Sequence, residues 1–162
     1  MAHSSIKETN RRTVERFFVT SGLERAALFA VDGRKELPWT SMGHPIDMEG
    51  IREISYNFTR NRQIFTDWTW SGVEVFDTQY DDRFWAECDG KGVIRIDGHE
   101  PVNAANHYIM AFRLEDGKIK EFREFCDPTQ PSRNDAGDPV PTPPLGDWKP
   151  PAEWQTPAEL LN

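Results

Sequence analysis

Between residues 6 and 18 and again between 51 and 65 apolar side chains recur every three to four positions, and from Asp67 to about residue 127 the pattern changes to strand-like runs. Within "IKETNRRTVERFFVTSG", Ile6, Thr13, Val14, Phe17 and Phe18 form one stripe, which predicts an amphipathic helix ending near Gly22. Ser5 and Glu8 have the spacing of a capping box at its start. "LERAALF" continues as a short helical piece, and "DGRKELPWTSMG" reads as a turn, a short strand and a second turn. Asp47 is placed to cap a second long helix, "MEGIREISYNFTRNRQIF", in which Ile51, Ile54, Phe58 and Phe65 keep helical spacing. Asn57 and Asn61 fall on that same stripe, one turn apart.

The later runs "WTWSGVEVFDT", "RFWAECDG", "GVIRID", "NHYIMAFRLEDG" and "KIKEFREFCD" are strand-like and separated by Asp, Gly and Asn turns. Asp116-Gly117 at the centre of "LEDGKI" is the strongest hairpin signal in the chain. Helices followed by an antiparallel meander predict an α+β fold, with the helices packed on one face of a curved sheet.

One strand carries an anomaly. In "KEFREFCDP", period two puts Phe122, Glu124 and Cys126 on one face and Glu121, Arg123 and Phe125 on the other. A carboxylate then sits on the row that should face the core. A carboxyl held among rings and a thiol loses hydration, which raises its pKa and suits it to deliver a proton. The alternatives are an ion pair with Arg95, Arg113 or Arg123, or an exposed strand edge. Asn57 and Asn61 either hydrogen-bond a ligand or satisfy neighbouring backbone. Arg25, in "GLERAALF", is either a surface cation or a clamp for a ligand carboxylate. Glu87 faces a cavity or the solvent and is left out of the candidate site.

Composition narrows the partners. The 162 residues suit one domain, and the formal charge of −8 argues against nucleic acid or an anionic membrane as partner. Six Trp suggest a wide core or a ring-lined cavity. Cys88 and Cys126, with no CxxC, point to a reducing cytoplasm rather than a disulfide framework. The N-terminus lacks an apolar signal region and no segment approaches membrane-spanning length; "NFT" at 57–59 is taken as a chance match to a glycosylation pattern. Zinc, phosphate-loop, dinucleotide and serine-elbow motifs are absent, so a metal-free and cofactor-free site is expected. Nine of the 12 prolines lie between 128 and 162. That density predicts an extended tail over 131–162 behind a domain of residues 1–130. Trp148 and Trp154 suggest that this tail lies against its own surface or a partner subunit's, with a disordered tail as the alternative.

"NRRTVERFF", "LFAVDG", "FTDWTWSGVEVF", "RFWAECDGKG" and "NHYIMAFRLEDGKIKEFREFCDP" together resemble the phenazine biosynthesis A/B proteins, over about residues 8 to 130. The tail departs from the family. The resemblance implies a nuclear-transport-factor-2-like (NTF2-like) cone, a curved antiparallel sheet with helices over its concave face, usually as a homodimer. It also implies condensation of two cyclohexenyl aminoketone carboxylates into a tricyclic phenazine precursor by double imine formation, without a cofactor. The family's acid falls on Glu124 and its carboxylate-binding arginine on Arg25. A histidine and a serine of the family pocket fall on Asn57 and Asn61, and a tyrosine falls on Ala104. Neither Asn titrates, so any proton shuttled by that histidine passes to Glu124 or water, or is not shuttled. The alternatives are a ring-ketone isomerase or polyketide-cyclase-like enzyme, and a non-catalytic ligand-binding accessory.

Overall fold

The computed structural model describes residues 2–162, with side chains from residue 6 onward. The first stripe becomes α1 (Ala2–Val19), followed by the short α2 (Gly22–Ala26). Because α1 starts at Ala2, Ser5 lies inside the helix and not at its cap; its side chain falls outside the described residues. The chain then forms β1 (Phe29–Leu37), β2 (Ile46–Glu49), α3 (Gly50–Ile64), β3 (Phe65–Asp77), β4 (Arg83–Ile94), β5 (Val102–Glu115) and β6 (Lys118–Cys126). Two-residue strands β7 (Ser132–Arg133) and β8 (Pro139–Val140) complete the sheet.

The strand order is β2-β1-β6-β5-β4-β3, strongly curled, with the helices on its inner side: the α+β cone expected. Every pair is antiparallel except β1–β6, which runs parallel and joins β2-β1 to the rest of the sheet. The Asp116-Gly117 hairpin forms as read, with both residues at positive φ, the geometry of a two-residue I′ turn.

Four local expectations fail for identifiable reasons. Asp47 is no helix cap: it lies in β2, where its carboxylate takes two hydrogen bonds from Arg34 at 2.8 and 2.7 Å across the β1–β2 pair. Phe65 opens β3 instead of closing α3. Asp32-Gly33 is a bulge inside β1, where a Cβ on Gly33 would meet the Ala30 carbonyl at 2.9 Å. "RFWAECDG" and "GVIRID" belong to one unbroken β4 up to Ile94, because Gly90 is no turn. Trp68, Trp70 and Tyr108 press onto it, and a Cβ there would sit 2.8, 2.8 and 2.9 Å from their rings.

Phe17 of α1 anchors the core. Its ring lies 4.8 to 6.5 Å from those of Phe18, Phe29, Phe58, Phe112 and Phe122, joining both long helices to β1, β5 and β6. The proline-rich tail folds back on the body. Leu160 is buried in the same core, Trp148 packs against it, and Arg52 of α3 donates to the Pro151 carbonyl at 2.8 Å. Among the described residues no helix is long and apolar enough to cross a membrane.

Candidate active site

Strand β6 turns Phe122, Glu124 and Cys126 inward, so the anomalous carboxylate does face the concave side. Its neighbours across the antiparallel pair are Met110, opposite Glu124, and Tyr108, opposite Cys126. On the other flank the parallel pairing sets Lys35 of β1 beside Phe122, one inward position from Glu124. Lys35 is buried, at 3% exposed, and Glu124 is 19% exposed. The Lys35 Nζ lies 4.0 Å from Glu124 Oε2, at the long limit for an ion pair.

Helix α3 then explains its two amides. Lys35 Nζ donates to Asn57 Oδ1 at 3.0 Å, and Asn61 Nδ2 donates to the same oxygen at 3.3 Å. A buried ammonium needs an acceptor, and Asn57, itself 4% exposed, supplies a carbonyl that Asn61 holds in place. From α2, Arg25 lays its guanidinium over the Phe17 and Phe58 rings, 4.7 and 5.7 Å from their centroids. One of its terminal nitrogens donates to the Thr20 carbonyl, while Nε is buried without a hydrogen-bond partner.

The electrostatics identify these groups as one cluster. Burial pulls Arg25 down to about 10, against the attraction of the Glu124 charge. Burial also lowers Lys35; Glu124 opposes that shift and the Arg25 charge adds to it. Cys88 and Cys126 are both pushed up to about 12, first by burial and then by the negative charge of Glu124. Tyr108 is raised for the same two reasons. Glu124 is therefore one of three charged groups held together, and not a lone carboxyl among rings. Its partner is Lys35 and none of the arginines considered from sequence. Arg113 pairs with Glu121 at 2.7 Å, Arg95 bonds Thr66, and Arg123 lies over Phe125.

Lys35 is the residue that sequence reasoning missed. A signal existed: Gly33, Lys35 and Leu37 alternate on β1, and the first two are buried. Ala104 is not part of this cluster. It shares the inward row of β5 with Met110 but lies six residues away, roughly 20 Å along a strand. There it packs with Ile64, Ile94 and Val102. It also lines a hollow of about 500 Å³ with Thr69, Lys91, Asn103 and Arg133. A second hollow, of about 300 Å³, lies between α1 and β3 beside Arg11, Phe18 and Trp70. Neither hollow is lined by Glu124, Lys35 or Arg25; of the cluster, Arg25, Asn61 and Glu124 are partly exposed. Glu87 points outward, where it and Asp89 hold His107 at 3.0 and 2.8 Å.

The thiols give a direct check on this environment. With both lifted to about 12, roughly one in 10⁴ is ionised at pH 8, and the thiolate is the reactive form. Native protein is expected to react with Ellman's reagent far more slowly than urea-unfolded protein, in which both thiols titrate normally. Rapid reaction of Cys126 in native protein would mean that this end of the cluster is open to water.

Comparison with known proteins agrees with this fold. The sequence profile of the family "Phenazine biosynthesis protein A/B" matches residues 2–143. Phenazine biosynthesis protein PhzB1 of Pseudomonas aeruginosa is 38% identical over 133 residues, covering 80% of this chain and 82% of that protein. PhzA of Pseudomonas fluorescens is 37% identical over 142 residues, 86% of each. The crystal structure of the phenazine biosynthesis-related protein phzb2 from Pseudomonas aeruginosa superposes with a TM-score of 0.74 at 36% identity, over 80% of this chain and 86% of that one. An NTF2-like protein from Anabaena variabilis matches at a TM-score of 0.54 and 15% identity, over 76% and 87%, a likeness of fold alone.

Proposed function

The chain belongs to the phenazine biosynthesis A/B family, and from that premise we propose that it is an enzyme condensing two aminoketone carboxylates through imine bonds. The observation that carries this reading is the charge of the cluster. Arg25 and Lys35 are positive and Glu124 is negative, which leaves one positive charge on the concave face of a protein whose formal charge is −8. Such a spot attracts a carboxylate. Arg25, braced on two rings and with Nε unpaired, has the donor to receive one.

With one ketone anchored beside Glu124, the amine of the second molecule attacks the carbonyl carbon. As its bond to carbon forms the attacking nitrogen becomes positive and the carbonyl oxygen an alkoxide; Glu124 takes a proton from the nitrogen and delivers it to that oxygen, giving the carbinolamine. The nitrogen's second proton follows the same route to the hydroxyl, which departs as water when the imine forms. Shuttling of this kind contributes roughly 10²–10⁴-fold. Bringing two dilute reactants together removes a larger barrier, on the order of 7–11 kcal/mol in favourable cases.

The test is the rate of tricycle formation from freshly generated aminoketone, measured against the spontaneous reaction. Arg25→Met is expected to raise KM roughly 10- to 100-fold, the loss of one charge-assisted contact, with a smaller change in kcat. No acceleration over the spontaneous rate by the wild-type protein would remove the condensation reading.

A further inference from the structure

The scheme above leaves Lys35 unused, although it has the surroundings of a reactive amine. We infer that Lys35 is a nucleophile that holds the substrate ketone as a covalent imine before the second amine arrives. The inference rests on the condensation reading for its substrate class, a cyclic ketone that bears a carboxylate.

Three observations meet at this side chain. Its Nζ is enclosed, with the Phe58 ring centroid at 4.9 Å and that of Phe122 at 6.0 Å. Arg25, a second cation, disfavours a proton on it, and burial acts in the same direction. Desolvation and a neighbouring cation are the two means by which a lysine is made nucleophilic near neutral pH. A carboxylate able to accept its proton lies 4.0 Å away, and Asn57, fixed by Asn61, accepts a hydrogen bond from the amine at 3.0 Å. That is the nucleophile, its base and its orienting group. The reacting ketone enters past Glu124, which with Arg25 and Asn61 is partly exposed while Lys35 and Asn57 are buried.

The chemistry balances without an added reagent. Lys35 gives a proton to Glu124, and the freed Nζ adds to the carbonyl carbon while the π pair moves to oxygen. The nitrogen's excess proton transfers to that oxygen, giving a carbinolamine. Glu124 returns its proton to the hydroxyl, the C–O bond breaks, and water leaves behind an iminium on Lys35. The amine of the second aminoketone adds to the iminium carbon and passes a proton to the Lys35 nitrogen. The bond from carbon to that nitrogen breaks, and the product iminium surrenders its proton to the released amine. The sum is ketone plus amine giving imine plus water. The route is faster because an iminium is more electrophilic than the ketone it replaces.

Reductive trapping tests it. The full-length protein is incubated with 3-oxocyclohexane-1-carboxylate and sodium cyanoborohydride, and the adduct is mapped by peptide mass spectrometry. A secondary amine on Lys35, absent in Lys35→Arg, supports the inference. So does labelling at least about tenfold weaker with cyclohexanone, which offers Arg25 no carboxylate. Labelling of exposed Lys91 with Lys35 unmodified overturns it. Lys35→Met, similar in length and apolar, is expected to slow condensation by about 10²-fold or more. If that variant does not fold, the wild-type mapping decides alone. Wild type that condenses aminoketone with Lys35 unlabelled overturns the covalent route and leaves the Glu124 scheme standing. Labelled Lys35 in a protein that fails to accelerate condensation supports the amine site and removes the condensation reading.

Discussion

Glu124→Gln is expected to slow aminoketone condensation by roughly 10²–10⁴-fold while the protein stays folded. The amide keeps the size and hydrogen-bonding reach of the carboxyl but neither takes up nor returns a proton at neutral pH. Every proton transfer in the proposed scheme passes through this side chain, so its loss falls on kcat more than on KM. The same change removes the anion beside Lys35, which then keeps Asn57 as its acceptor. Thermal melting separates a chemical effect from a structural one. Glu121→Gln is the matched control: Glu121 lies on the same strand but is exposed and paired with Arg113 on the outer face. It should leave the rate unchanged, because an exposed pair of this kind is worth no more than about 1 kcal/mol to the fold. A Glu124→Gln enzyme within twofold of wild type would show that proton transfer there does not limit the reaction.

The largest expected effect on stability comes from Phe17→Ala, about 3–5 kcal/mol by urea unfolding. On a chain of this size that lowers Tm by on the order of 10 °C. Phe17 is 1% exposed and touches five other phenylalanine rings drawn from α1, α3, β1, β5 and β6. The surrounding rings are too large and too mutually packed to collapse into the space left behind, so the cavity term is expected to be near its full size. The substitution also removes the shelf beneath Arg25, whose guanidinium lies 4.7 Å above that ring. Weaker carboxylate binding should therefore accompany the lost stability. Val14→Ala, one turn earlier and equally buried, removes less volume and keeps the Phe17 and Phe58 rings beneath Arg25, so it should cost less and leave binding intact. A Phe17→Ala loss under 1 kcal/mol would mean that the two halves of the core are not joined through this ring.

Whatever depended on local repetition was legible in the chain itself. The stripes of Phe17 with Phe18 and of Ile54 with Phe58 placed the helices. Asp116-Gly117 placed the β5–β6 hairpin, and alternation through Phe122 and Cys126 set Glu124 facing inward. These signals work because helix and strand periods are properties of consecutive residues. Lys35 was hidden because its importance comes from a parallel pairing between β1 and β6, strands separated by about half the chain, and no local pattern encodes that partner. Asp47 looked like a cap until Arg34 was brought opposite it, and Gly90 looked like a turn until three rings were laid upon it. Asn57 and Asn61 were placed on one helical stripe by spacing, but the ammonium that Asn57 accepts from, with Asn61 holding Asn57, came from another element. Periodicity decided which side chains turn inward; long-range strand pairing and the crossing of the helices decided which of them meet, because a buried charge is stable only where the fold supplies its partners.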